Sequence, residues 1–140
     1  MNLIAATATT SGAPGCSETV PCEPGSARRA RTLVAAALST WGMADLADAG
    51  TLIVTELLSN AIDHTSSRTA RVVVHRTGED RVRIGVADTG RGIPDARRPP
   101  ETAEEGRGLL LIQALSDHWG YDRTPAGKLV WAELRSVDRR

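Results

Sequence analysis

The sequence predicts an α+β fold, a two-layer α/β sandwich in which three helices cover one face of a mixed, mostly antiparallel sheet. Three observations point there. Apolar residues recur at helical spacing in three separate stretches, other apolar residues alternate with period two in neighbouring segments, and turn residues join those segments in pairs. The order is helix, helix, hairpin, long loop, helix, hairpin, with no internal repeat. One domain over residues 15–140 is expected, preceded by a disordered tail over residues 1–14, which are small, uncharged and without periodicity.

Each element has its own signal. Glu18-Thr19-Val20 reads as a short extended piece joining a sheet edge, and Pro24-Gly25-Ser26 as a helix start. From Ala27 to Trp41, Ala30, Leu33, Ala37, Leu38 and Trp41 form an apolar stripe, and Gly42 stops the helix. Asp45 is a suitable N-cap for the second helix, which runs to His64 through the most apolar stretch of the chain. Arg71 to His75 and Val82 to Val86 read as a hairpin across Thr77-Gly78-Glu79-Asp80. A loop of unusual length follows Asp88, with three prolines and three glycines, and such a loop inside a compact domain is usually functional. The third helix is expected from Arg107 to Ser116. The last hairpin spans His118 to Arg123 and Leu129 to Leu134 around Pro125-Ala126-Gly127.

Composition removes several function classes. Seventeen basic and seventeen acidic side chains give no net charge, which argues against a nucleic-acid-binding surface. No apolar run approaches a membrane span, and the N-terminus lacks a basic stretch followed by an apolar one, so the expected location is the cytoplasm, away from membranes. Cys16 and Cys22 lie in the irregular first stretch and make neither a disulfide framework nor a metal site. His75 and His118 lack partners at ligand spacing, and Trp41, Trp119 and Trp131 are assigned to the core. Sixteen arginines beside the single Lys128 reflect a GC-rich coding genome.

Three clusters carry chemistry. With Leu46 at zero on the second helix, Ile53 comes to about 340°, Leu57 to about 20° and Ala61 to about 60°. Glu56 and Asn60 fall near about 280° and about 320°, on the flank of that apolar stripe. They are either solvated rim positions or polar groups that need a partner, because burying them unpaired is costly. Asp88-Thr89-Gly90-Arg91-Gly92 puts an acceptor at a strand end, followed by glycines that let the backbone approach a ligand or simply turn. Gly106-Arg107-Gly108-Leu109 opens a helix, as a hinge or as an anion site made of free amides. There is no P-loop.

Taken together, in this order, these clusters resemble the GHKL superfamily of ATP-binding domains, the Bergerat fold, over residues 25 to 135. Glu56 to His64 resembles its N box, Asp88 to Gly92 its first glycine box and Gly106 to Leu109 its second. The ending Gly127-Lys128-Leu129-Val130-Trp131-Ala132-Glu133-Leu134 is most similar to stand-alone actinobacterial anti-sigma-factor serine/threonine kinases. The resemblance implies that Asn60 binds Mg²⁺ and Glu56 is the general base. It makes Asp88 the acceptor of the adenine amine, and lets Gly90 and Gly92 pass the nucleotide. Residues 93–105 become a lid. Gly106 and Gly108 donate amides to phosphate beside Leu109, and Arg107 meets γ-phosphate charge. Many relatives carry Thr where this chain has Leu129, which touches the base contacts. The implied cofactors are ATP and Mg²⁺. The implied partners are a sigma factor, an anti-sigma antagonist phosphorylated on serine, and a second copy in a homodimer. Two other functions stay open: a nucleotide-gated protein-binding regulator with little or no catalysis, and a catalytic subunit for a separate histidine-containing partner.

Overall fold

Alternation builds the sheet. Val72 and Val74 on one strand, and Val82, Ile84 and Val86 on the next, are all buried, while Arg71 and Arg81 are exposed. The computed structural model, which describes residues 7–8, 14–64, 67–89 and 103–137, pairs these strands as a hairpin of β3 (Thr69–Gly78) and β4 (Arg81–Asp88). With β1 (Thr7–Ala8), β2 (Pro14–Pro21), β5 (His118–Thr124) and β6 (Gly127–Arg135) they form a six-stranded sheet in the order β1-β2-β3-β4-β6-β5. Every pairing is antiparallel among the described strands, as a mostly antiparallel sheet leads one to expect, and none of them is parallel. β5 lies at the edge and β6 fits between it and β4.

The helices α1 (Ser26–Thr40), α2 (Ala47–His64) and α3 (Ala103–Leu115) bring their apolar stripes to this sheet. Leu33, Val34 and Leu38 of α1, Ile53, Val54, Leu57 and Leu58 of α2, and Ile112 of α3 are each at most 2 % exposed. Burying one such side chain is worth about 1.5–3 kcal/mol. At Gly50 the packing is tight: a Cβ there would lie 3.1 Å from Leu38 Cδ1 and 3.2 Å from Ile84 Cδ1. An ion pair of 3.2 Å between Arg29 and Glu18 also ties α1 to β2. No helix among the described residues is long and apolar enough to cross a membrane.

One corner sets the direction of α2. The Asp45 carboxylate accepts from Ser136 Oγ at 2.8 Å and from the Val137 amide at 3.2 Å, and the Ser136 amide donates to the Asp80 carbonyl at 2.6 Å. The start of α2 therefore sits beside the start of β4, and the Gly50–Ile84 contact shows both running the same way. From Asp45 to Asn60 is about 22 Å of helix and from Arg81 to Asp88 about 23 Å of strand. Asn60 and Asp88 thus arrive at the same end of the domain.

Several expectations change. Asp45 does not cap α2: it lies inside a 3-10 turn, Ala44–Leu46, because its carboxylate is drawn to the end of β6. The third helix begins at Ala103, four residues before Arg107. Within the tail expected to be disordered, Thr7–Ala8 pairs with Pro14 and Gly15, and β2 begins at Pro14. The remaining residues of that tail lie outside the described set. Cys16 is buried in β2, and Cys22 follows the end of that strand, so the first stretch is more regular than expected. Trp41 and Trp119 pack against the core as assigned. Trp131 does not: it lies on the open face of the sheet, where the Arg83 guanidinium stacks 3.8 Å from its ring centre and His118 meets its edge.

His75 shares that open face and pairs in register with Arg83. Burial, then Arg83 and Arg71, hold its imidazole below the ordinary value of 6.5. Folding therefore favours neutral His75, and the contribution is present above about pH 6.5 and lost as pH falls toward the lower folded value. In urea unfolding between pH 7 and 5, wild type should lose stability more steeply than His75→Gln; parallel pH profiles would contradict this.

Candidate functional site

Glu56 and Asn60 lie one turn apart on α2, half-buried, beside the buried Ile53, Leu57 and Ala61. Both reach toward one point on α3. A Cβ added at Gly108 would fall 2.7 Å from Glu56 Oε2 and 3.9 Å from Asn60 Oδ1. The absence of a side chain at position 108 leaves the gap these oxygens occupy. The N box and the second glycine box, fifty residues apart in sequence, are in direct contact here. A carboxylate and an amide oxygen side by side are hard donors of the kind Mg²⁺ takes, so the residues fit that ion.

The earlier start of α3 changes what its glycines supply. Gly106 falls in the first turn and Gly108 in the second, where amides bond within the helix. Gly108 contributes room, in place of the free N–H expected of it. Leu109 is buried beneath it at 7 % exposure. The backbone of Arg107 belongs to α3, and its side chain lies outside the described ones, as does that of His64 at the end of α2. Gly90, Gly92 and residues 93–102 of the expected lid also lie outside the described residues, while 103–105 open α3.

Asp88 closes β4 on the helix-covered face, in parity with Val82, Ile84 and Val86. Its carboxylate is almost wholly buried and accepts from Lys128 Nζ at 3.1 Å; the side chains are 2 % and 7 % exposed. Lys128 is the register partner of Asp88 across β4 and β6. Sequence reasoning passed it over, although two signals mark it. It is the single lysine of the chain, and it shares period-two parity with the buried Val130, Ala132 and Leu134. Leu129, one position on, faces the other way: its Cδ1 sits 2.8 Å from where a Cβ of Gly85 would stand on the open face. The residue of β6 beside Asp88 is thus Lys128, and the departure at Leu129 does not reach it.

The tip of β4 is clamped from both sides. A Cβ at Gly127 would overlap the carbonyl of Asp88, so only glycine lets the β5–β6 turn close against the strand end. On the other side the Thr89 amide donates to Ser67 Oγ at 2.7 Å, and the two hydroxyls bond to each other. Cys22 lies close enough that the Asp88 carboxylate, after burial, raises its thiol above the ordinary value. Burial pushes Cys16 up to about 11. Both thiols stay protonated at neutral pH, which is the inert state of cysteine.

Residues 20–134 match the family model described as a histidine kinase-like ATPase domain. An uncharacterized protein from Streptomyces coelicolor is 38% identical over 80 residues, covering 50% of this chain and 70% of the relative. Among solved structures, the histidine kinase domain of a blue-light activated histidine kinase from Erythrobacter litoralis covers 99% of this chain and 71% of that one. Its identity is 22% and its TM-score 0.47.

The two close glycines predict opposite outcomes. In Gly108→Ala the new methyl meets only the far end of a flexible Glu56 side chain, and alanine in a helix gains about 0.5–1 kcal/mol over glycine. Its melting temperature should match or exceed wild type. In Gly127→Ala the methyl meets backbone, so melting should fall by several degrees, corresponding to about 1–3 kcal/mol of strain. Equal melting temperatures for the two variants would refute the packing.

Proposed function

The chain belongs to the histidine kinase-like ATPase domain family, and we propose that it is a serine/threonine protein kinase of anti-sigma-factor type, using ATP with Mg²⁺. The observation that carries this is the meeting of Glu56 and Asn60 at Gly108, at the end of the domain where Asp88 closes β4. Asn60 Oδ1 would hold the Mg²⁺ that accompanies ATP. When bound, Mg²⁺-ATP would supply the phosphoryl group to be transferred, with the metal offsetting phosphate charge. Glu56, one turn away, takes the proton from the attacking serine hydroxyl. Asp88 accepts a hydrogen from the adenine amine, and its burial makes that acceptor count for more than it would in water. Gly108 keeps the Glu56 carboxylate where it is. Arg107 and the amide of Gly106 serve the phosphate end, and Gly90 and Gly92 pass the nucleotide.

The partners are a sigma factor, which the domain binds, and an antagonist protein, which it phosphorylates. The likeness of the β6 segment to anti-sigma kinases supports this assignment. The surface offered to partners is that of one chain or a homodimer.

Incubation with labelled ATP and the antagonist tests the reaction. Glu56→Ala should still bind ATP yet lose transfer by at least about a hundredfold, the usual scale for a general base. Retained transfer would remove Glu56 from that role, and nucleotide binding with no transfer in wild type would leave a nucleotide-gated regulator. Binding is tested by thermal shift with ATP, GTP and Mg²⁺. A ligand at a hundredfold excess over Kd stabilises by about 2.7 kcal/mol. An ATP shift in wild type, absent in Asp88→Asn, is expected; identical shifts in the two would contradict the base-reading role.

A further inference from the structure

Lys128 stands out before any ligand is considered. It is the single lysine beside sixteen arginines, and it is 5 % exposed. An ammonium carries three donors, and burying it is costly unless they are met. One N–H goes to Asp88 Oδ1 at 3.1 Å. Because the two residues are register partners on one face of adjacent strands, an acceptor and a cationic donor stand side by side at the end of the sheet. The Gly127 turn fixes that arrangement, since the backbone before Lys128 is pressed against the carbonyl of Asp88.

Adenine presents the complementary pair. Its exocyclic amine donates, and a ring nitrogen on either side of that amine accepts. We propose that Lys128 is a specificity-determining residue whose ammonium donates to the ring nitrogen beside the amine of a purine held at Asp88. The inference rests on Asp88 reading the base, and it adds the second half of the recognition. A lysine suits the task because its compact head on a flexible stem can keep Asp88 and reach a second acceptor. The ion pair then survives binding, so neither charge is left buried and alone. Leu129, on the opposite face, takes no part.

Two analogues separate this role from a structural one. Titration calorimetry on the full chain would compare ATP with 1-deaza-ATP and 7-deaza-ATP, in which a C–H replaces one ring nitrogen. Wild type should bind one of them at least tenfold more weakly than ATP. Lys128→Met should bind that analogue and ATP within twofold of each other, and Lys128→Gln, which keeps a donor without the charge, should retain part of the preference. If Lys128→Met does not fold, the Gln variant alone decides, through its reduced ratio against wild type. A merely structural ion pair changes all three affinities together and leaves the ratios alone, and that result overturns the proposal. So does equal binding of all three nucleotides by wild type, with the ATP-binding function intact. Binding of none overturns this inference and the proposed function together.

Discussion

Two polar side chains on the inner flank of a core helix must be met by something, and here they are met by an absence. Glu56 and Asn60 extend toward α3, and α3 has no side chain at position 108 to exclude them. The remaining architecture serves that meeting. The apolar stripe of α2 presses Ile53, Leu57 and Ala61 into the sheet, which turns the flank carrying 56 and 60 toward α3. The Asp45–Ser136 corner fixes where α2 starts, and the near-equal reach of α2 and β4 brings the helix flank and the strand end to the same side.

The strand end is organised by a second close approach. Gly127 lets a turn lie on the Asp88 carbonyl, Ser67 holds Thr89 from the other side, and Lys128 sets a cation against the buried carboxylate. Asp88 is thereby held in place in a buried setting, where a single acceptor discriminates between ligands more sharply than in water. The opposite face of the same strands carries unrelated chemistry. There Arg83 bridges Trp131 and Glu133, so β6 alternates residue by residue between the site face and a cationic-aromatic cluster.

Much of this was legible in the sequence because it follows from period. The 3.6-residue repeat located α1 and α2 and put Glu56 and Asn60 on a flank, the two-residue repeat located the β3–β4 hairpin, and the turn at Pro125-Ala126-Gly127 marked the last one. What period does not reach was misread. The start of α3 lies in a segment whose glycines and charges give no apolar repeat, so the glycines were read as a helix start when they lie within the helix. Asp45 has the right type for a cap, but a tertiary partner on β6 took its carboxylate. Lys128 and Leu129 differ by one position, and only the register of β4 against β6 shows which of them shares the face of Asp88. Trp131 was assigned to the core because the chain has so few other aromatics, yet parity with Glu133 and Arg135 places it outward.

In the proposed function, one helix flank, one glycine on α3 and one strand end surround a single metal-bound nucleotide. Paramagnetic relaxation tests it most directly, with Mn²⁺-ATP replacing Mg²⁺-ATP in amide spectra of the labelled protein. Resonances of Glu56, Asn60 and Gly108 should broaden first, with the Asn60 side-chain amide the most affected, while Glu79 and Arg135, at the end of the strands opposite Asp88, stay sharp. Bound Mn²⁺-ATP that leaves Asn60 and Gly108 sharp would contradict the account.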